Sequence, residues 1–192
     1  MCPIHKGDDT LSEDLSKLTK ISKIGAIFAR ILMAVTIICT IVATVLLVVI
    51  YLNPDIITDI VNAAGGKINN IPIEDIDIKA VASVFAVSVM VLGPLGFTVL
   101  YFVNQMFTNI YRNNTPFTED NARCLEIIAV LLVIYTIITA IFDGVMQWVI
   151  DIPFYQSYGV GISPLLVAVL LYFLALVFRH GAALQKQSDE TL

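Results

Sequence analysis

The run ILMAVTIICTIVATVLLVVIYL, residues 31–52, holds 22 consecutive residues without a charge. At ~1.5 Å of rise per residue, a helix of that length crosses the ~30 Å hydrocarbon layer of a bilayer. Three further apolar runs follow, and the four spans are placed at residues 24–52, 80–103, 125–148 and 163–179. The expected fold is all-α. It is a four-span transmembrane helix bundle, one integral membrane domain over residues 1–192, led by a short amphipathic N-terminal helix.

Composition agrees with this. Of 192 residues, 58% are hydrophobic and 14% charged, with a mean hydropathy of +0.86. Soluble domains carry about 45–50% apolar and about 25% charged residues. With most residues in spans, no room remains for a separate soluble domain. The net charge of −5 averages over two sides of a membrane. No basic patch has the density that direct nucleic-acid binding needs. Cys2, Cys39 and Cys124 fit no zinc or redox spacing, and no structural disulfide is expected.

Before the first span, Met1 to Asp9 read as disordered, and Thr10-Leu11-Ser12-Glu13 matches a capping box. Leu11, Leu15, Leu18, Ile21 and Ile24 recur at helical spacing, with Lys17, Lys20 and Lys23 off that stripe. The segment reads either as a helical lead-in or as a dedicated docking helix for anionic headgroups. A signal peptide is not expected, because four acids precede an apolar run too long for a signal. Within span 1, Arg30 can snorkel to the interface. Thr36, Thr40 and Thr44 put small polar side chains on one face, as a helix-packing seam does.

Residues 53–79 read as an outer loop. Pro54 to Ala64 has Ile56, Ile57, Ile60 and Val61 on one face and is stopped by Gly65-Gly66, which predicts a short interfacial helix. IPIEDIDIK, residues 71–79, reads either as a short extended piece or as the cap of span 2. Its acids lack the EF-hand pattern, so a solvated acidic loop is expected and no metal site. In span 2, Gly93-Pro94 and Gly96 mark either a hinge exposing backbone to a substrate or a static kink filled by a neighbouring helix.

The long polar interruption is NQMFTNIYRNNTPFTEDNARCLE, residues 104–126. It reads as a loop entering span 3, with Thr118 as N-cap and Glu119 and Asp120 at the positive end of the helix dipole. Tyr101, Phe102, Phe107 and Tyr111 read as an interfacial aromatic belt. Asn113-Asn114-Thr115 matches a glycosylation acceptor but falls on the inner side. The uncharged part of span 3, Ile127 to Phe142, is 16 residues, short of the ~20 a crossing needs. Glu126, expected to pair with Arg123 one turn earlier, and Asp143 therefore lie near or within the apolar layer. Asp143 is either an intramembrane carboxylate or, beside Gly144, the water-exposed end of the helix. Asp151 to Gly161 forms a second outer loop, Ser163-Pro164 starts span 4, and Arg179, His180 and Lys186 mark its inner end.

Basic residues orient the chain. Nine (Lys6, Lys17, Lys20, Lys23, Arg30, Arg112, Arg123, Arg179 and Lys186) fall on one side and two (Lys67 and Lys79) on the other. The positive-inside rule puts both termini in the cytoplasm, N-in and C-in, in a cell membrane.

TPFTEDNARCLEIIAV (residues 115–130) and LVFRHGAALQKQSDETL (residues 176–192) carry a resemblance. With four spans, they are similar to the YoaS-like group of small prokaryotic four-helix membrane proteins, a domain of unknown function. The matching positions are Pro116, Phe117, Thr118 and Asn121 before span 3, and Phe178, Arg179, Gly181 and Leu184 after span 4. Cys124 stands where a basic residue is common in that group. Members are often encoded beside a small helix-turn-helix regulator, which implies a regulatory or accessory role and no known activity, ligand or cofactor.

Two functions follow from this reading. The first is a membrane protein docking a cytoplasmic partner through Pro116, Phe117, Thr118, Asn121, Arg123, Arg179, Gly181 and Leu184. The second is a small oligomeric transporter or channel using Asp143 and the Gly93-Pro94 break. No HExxH, no paired aspartates within spans and no Ser–His arrangement at membrane depth occur, so enzymatic activity is not expected. The expected partners are the lipid bilayer, a cytoplasmic protein and a second copy of the chain as a homo-oligomer.

Overall fold

Long apolar runs leave the backbone one way to satisfy its own polar groups, the helix. The computed structural model describes residues 6–53, 55–63, 67–68, 71–72, 77–150 and 163–190. They form α1 (Lys6–Leu52), α2 (Asp55–Ala63), a two-residue antiparallel ladder of β1 (Lys67–Ile68) and β2 (Ile71–Pro72), α3 (Ile78–Asn113), α4 (Glu119–Ile150) and α5 (Ser163–Glu190). The described residues are all-α apart from that ladder. Four stretches are long and apolar enough to cross a membrane: Leu15–Leu52, Ser83–Asn113, Glu119–Val145 and Pro164–Ser188. It is a multi-pass membrane protein.

The helices outrun the apolar segments that predict them. α1 is continuous from Lys6, so the Thr10–Glu13 box lies inside a helix and does not start one. The segment predicted to be amphipathic falls in the first part of α1, and residues Lys6 to Asp9 are helical where disorder is expected. α3 runs ten residues into the predicted loop, leaving only residues 114–118 outside a helix. The reason is amphipathicity, for this last part of α3 buries Ile110 and sets Phe107 against Gly25. α4 continues to Ile150, so Gly144 does not end it and Asp143 is not a helix terminus. Residues 1–5, Gly65-Gly66 and the loop 151–161 lie outside the described residues.

The chain divides into two compact units. The first comprises Met1–Ala34, Thr98–Leu132 and Leu165–Leu192. Its buried apolar residues are mostly small: Ala26, Ala29, Ala122, Ala129, Ala168 and Ala175, with Ile110, Cys124, Leu125 and Ile128. Large apolar side chains such as Ile21, Phe28, Leu170 and Phe173 face outward. This is the packing expected where lipid surrounds the protein, because small side chains let helix backbones approach while bulky ones meet acyl chains.

The second unit comprises Val35–Phe97 and Val133–Pro164. Asp77 Oδ1 accepts from the backbone nitrogens of Lys79 and Ala80 at 3.0 and 3.1 Å, capping α3. Both readings of residues 71–79 thus hold in part, with Ile71–Pro72 extended and Asp77 a cap. Thr40 and Thr44 donate to the carbonyls of Thr36 and Thr40 at 2.8 and 2.7 Å. Thr40 also fills the space beside Gly93, where a Cβ would lie 3.0 Å from its Oγ1. The threonine face is a packing seam there, and α3 passes unbroken through Pro94.

Gly93→Leu is expected to lower the melting temperature in detergent, since the added side chain collides with Thr40. Gly144→Ala meets nothing within 4 Å and gains about 0.5–1 kcal/mol of helix propensity. Unchanged melting of the Gly93 variant would disprove the close seat.

Candidate functional site

The site is built where the first unit leaves helical structure. α3 ends at Asn113, and Asn114 takes a left-handed conformation with φ of 54°, which asparagine tolerates at a helix C-terminus. Its Oδ1 accepts from Thr19 Oγ1 of α1 at 3.0 Å, a proton that Thr19 shares with the Leu15 carbonyl at 2.9 Å. The next residue, Thr115, donates to Gln185 Oε1 of α5 at 3.2 Å and accepts from the Phe117 backbone nitrogen at 3.2 Å. The head of α1, the α3–α4 turn and the tail of α5 therefore meet within this unit.

Pro116 lacks an N–H and cannot extend a ladder, but its carbonyl is used twice. The Thr118 backbone nitrogen and Asn121 Nδ2 both donate to it, each at 3.0 Å. Thr118 Oγ1 accepts from the Asn121 backbone nitrogen at 3.2 Å, so Thr118 is the N-cap of α4. Asn121 is fully buried, at 0% exposure, and ties the turn to the first turn of the helix from the inside. Proline, threonine and asparagine at this spacing thus close one local hydrogen-bonded unit.

Phe117 joins that unit to α5. Its ring packs edge-on against Phe178, with centroids 5.4 Å apart. It also covers Gly181 so closely that a Cβ there would lie 2.7 Å from Phe117 Cδ1. Nearby, Arg179 Nη2 donates to Glu126 Oε2 at 2.6 Å. Glu126 pairs with Arg179 of α5, not with Arg123 as its spacing on α4 predicts. The side chains of Arg179 and Glu126 remain 54% and 35% exposed, so solvent weakens the pair.

Six of the predicted residues are brought together here: Pro116, Phe117, Thr118, Asn121, Arg179 and Gly181. Arg123 and Leu184 are exposed beside them. Asp143 belongs to the other unit, half-buried on α4. Glu126, Thr115 and Gln185 complete the cluster, and sequence reasoning missed these partnerships. The Glu126–Arg179 bond joins residues 53 positions apart, beyond any local spacing rule. Chemically the cluster is a clamp between two helices, with the Asn121 amide nitrogen bonded to the turn, its Oδ1 buried without a partner, and charges left at the rim.

The family described as "Protein of unknown function (DUF2975)" matches residues 70–192, which hold α3, α4, α5 and both halves of this clamp. The chain belongs to the DUF2975 family. No curated protein and no solved structure matches it. α1 precedes the residues matched to DUF2975. Thr19 and Gly25 of α1 nonetheless meet Asn114 and Phe107 within the matched residues.

Stability measurements should rank the clamp. Asn121→Ala removes one of the two donors to the Pro116 carbonyl and leaves a cavity in place of a fully buried side chain, and is expected to cost about 1–3 kcal/mol. Gly181→Leu, which expels the Phe117 ring, should be at least as severe, and Thr118→Ala should cost about 1 kcal/mol. Arg179→Ala should cost under about 1 kcal/mol because its pair is solvated. Denaturation in mild detergent checks the order. An Arg179 variant less stable than the Asn121 variant would reverse it.

Proposed function

We propose that this DUF2975 protein is a non-enzymatic regulatory or accessory protein of the cell membrane that docks a cytoplasmic protein at its clamp end. The observation that carries the reading is the division of the motif residues. Phe117, Thr118, Asn121 and Gly181 are consumed in holding α4 to α5. Arg123 and Leu184 stand exposed on the same clamped segments. A clamp that fixes two helix ends and leaves a cation and an apolar side chain outside is suited to present a rigid surface. Nine of eleven basic residues fall on the side of this end, which supports a cytoplasmic position for it and for both termini. The resemblance to YoaS-like proteins, often encoded beside a helix-turn-helix regulator, supports a regulatory partnership.

The transporter or channel reading has weaker support. It needs a broken helix at Gly93-Pro94, whereas α3 is continuous and Thr40 occupies the space beside Gly93. Asp143 remains its one charged residue in the spans' outer part.

The test separates surface from scaffold. Wild type and an Arg123→Ala/Leu184→Ala variant, matched for membrane level and melting temperature, are cross-linked in native membranes and purified. A soluble protein recovered with wild type and reduced at least fivefold with the variant supports docking. Equal recovery, or no soluble partner, would sink the reading. Orientation is checked separately: a cysteine at Gln187 should resist an impermeant thiol reagent in intact cells and react after permeabilisation, whereas labelling in intact cells would reverse the topology.

A further inference from the structure

We propose that α1 and α3 form a binding site for one anionic phospholipid, with Arg30 as its phosphate-binding residue. Lys20, Lys23, Ile27 and Arg30 follow a three–four–three spacing, which puts them along one side of α1. All four are exposed. Ile31, one turn beyond Ile27, is exposed too and continues the stripe in apolar form. Read along the axis, this side offers two ammonium groups, then a guanidinium flanked by isoleucines. That order matches a lipid, whose anionic headgroup stands above its acyl chains.

What turns the stripe into a site is Asn104. Arg30 Nε donates to Asn104 Oδ1 of α3 at 3.1 Å. A neutral amide oxygen positions the guanidinium without neutralising it, whereas a carboxylate partner would cancel its charge. With Nε engaged, the two Nη groups are the edge that a phosphate takes in the forked geometry arginine favours. The contrast within the same unit is Arg179, whose guanidinium is paired with the Glu126 carboxylate, so that the pair as a whole is neutral. Arg30 sits about 10 Å along α1 from Lys23, so the site spans a headgroup and its glycerol rather than a point charge. Charge complementarity thus commits the occupant to an anionic phospholipid. The inference rests only on the protein being multi-pass, not on partner docking.

The test is native mass spectrometry of the purified full-length protein titrated with phosphatidylglycerol or with phosphatidylcholine of the same chains. Wild type is expected to bind the first phosphatidylglycerol more tightly than phosphatidylcholine. Arg30→Gln and Lys23→Gln should each weaken that first binding about fivefold, the effect of one cation near an anionic surface, and leave phosphatidylcholine unaffected. Asn104→Ala keeps every charge and should still weaken phosphatidylglycerol binding, which keeps the test decisive even where a charge variant fails to fold. Arg112→Gln removes a cation elsewhere in the unit and should change nothing. Equal affinity for the two lipids, an Arg112 effect as large as that of Arg30, or wild-type binding by Asn104→Ala would each overturn the site. A second copy seated on this stripe would appear as dimers lost in Arg30→Gln without lipid selectivity, and that too would overturn it.

Discussion

Every backbone N–H and C=O of an apolar span has to find its partner inside the protein, because hydrocarbon supplies none. The continuity of α1, α3, α4 and α5 follows from this, and α3 stays helical through Pro94 even though proline brings no N–H to the ladder. The same constraint disciplines the side chains. Thr40, Thr44, Ser83, Ser88 and Thr139 each donate to the carbonyl four residues back, at 2.7 to 2.9 Å. A hydroxyl bonded to its own helix leaves no unsatisfied donor toward lipid or a neighbouring helix. Thr40 can therefore pack against Gly93 with Oγ1 and Cγ2 foremost while its proton stays within α1.

The turn at residues 114–118 is where that solution runs out within the first unit. Five residues leave the helical ladder between two long helices, and side chains take over the hydrogen bonds. Asn114, Thr115, Pro116, Thr118 and Asn121 divide the task among themselves, partly with one another and partly with Thr19 and Gln185. The arrangement needs a residue tolerant of positive φ, one hydroxyl cap and one buried amide in a fixed order. A motif of this composition is thus explained by the backbone it must satisfy. Its aromatic residue is explained by the glycine beneath it. Exposed side chains next to it, which satisfy nothing, are the ones free to serve recognition.

How much of this was legible depends on range. The apolar runs declare the spans largely through length, although the uncharged part of span 3 has only 16 residues. Thr118 was readable as a cap and Ile56–Ile60 as part of a short helix because both are settled within a few residues. Asp77 was readable only as one of two alternatives. The polar segment 104–113 was misread as loop, since its helical character lies in the spacing of Phe107 and Ile110 and depends on a surface that only the folded unit provides. The partners of Glu126, Arg30 and Thr115 were out of reach for the same reason. Each lies on another helix, 53, 74 and 70 residues away. Spacing on a single helix offered Arg123 to Glu126. The packed helices offer Arg179, whose guanidinium makes a direct charge-assisted bond at the rim.

These long-range pairings also set how charge is distributed at one end of the bundle. A charge held in or near an apolar layer is costly unless it is answered or reaches water. The first unit answers two arginines in different ways. Arg179 receives a carboxylate, which neutralises it and leaves a solvated tie between α4 and α5. Arg30 receives an amide, which orients it and leaves it cationic on the flank where α1 meets α3. A protein built only to stay together would gain from a carboxylate at position 104 as well. An amide there trades that gain for a positioned positive charge facing outward, the charge that the phosphate of the proposed lipid would answer.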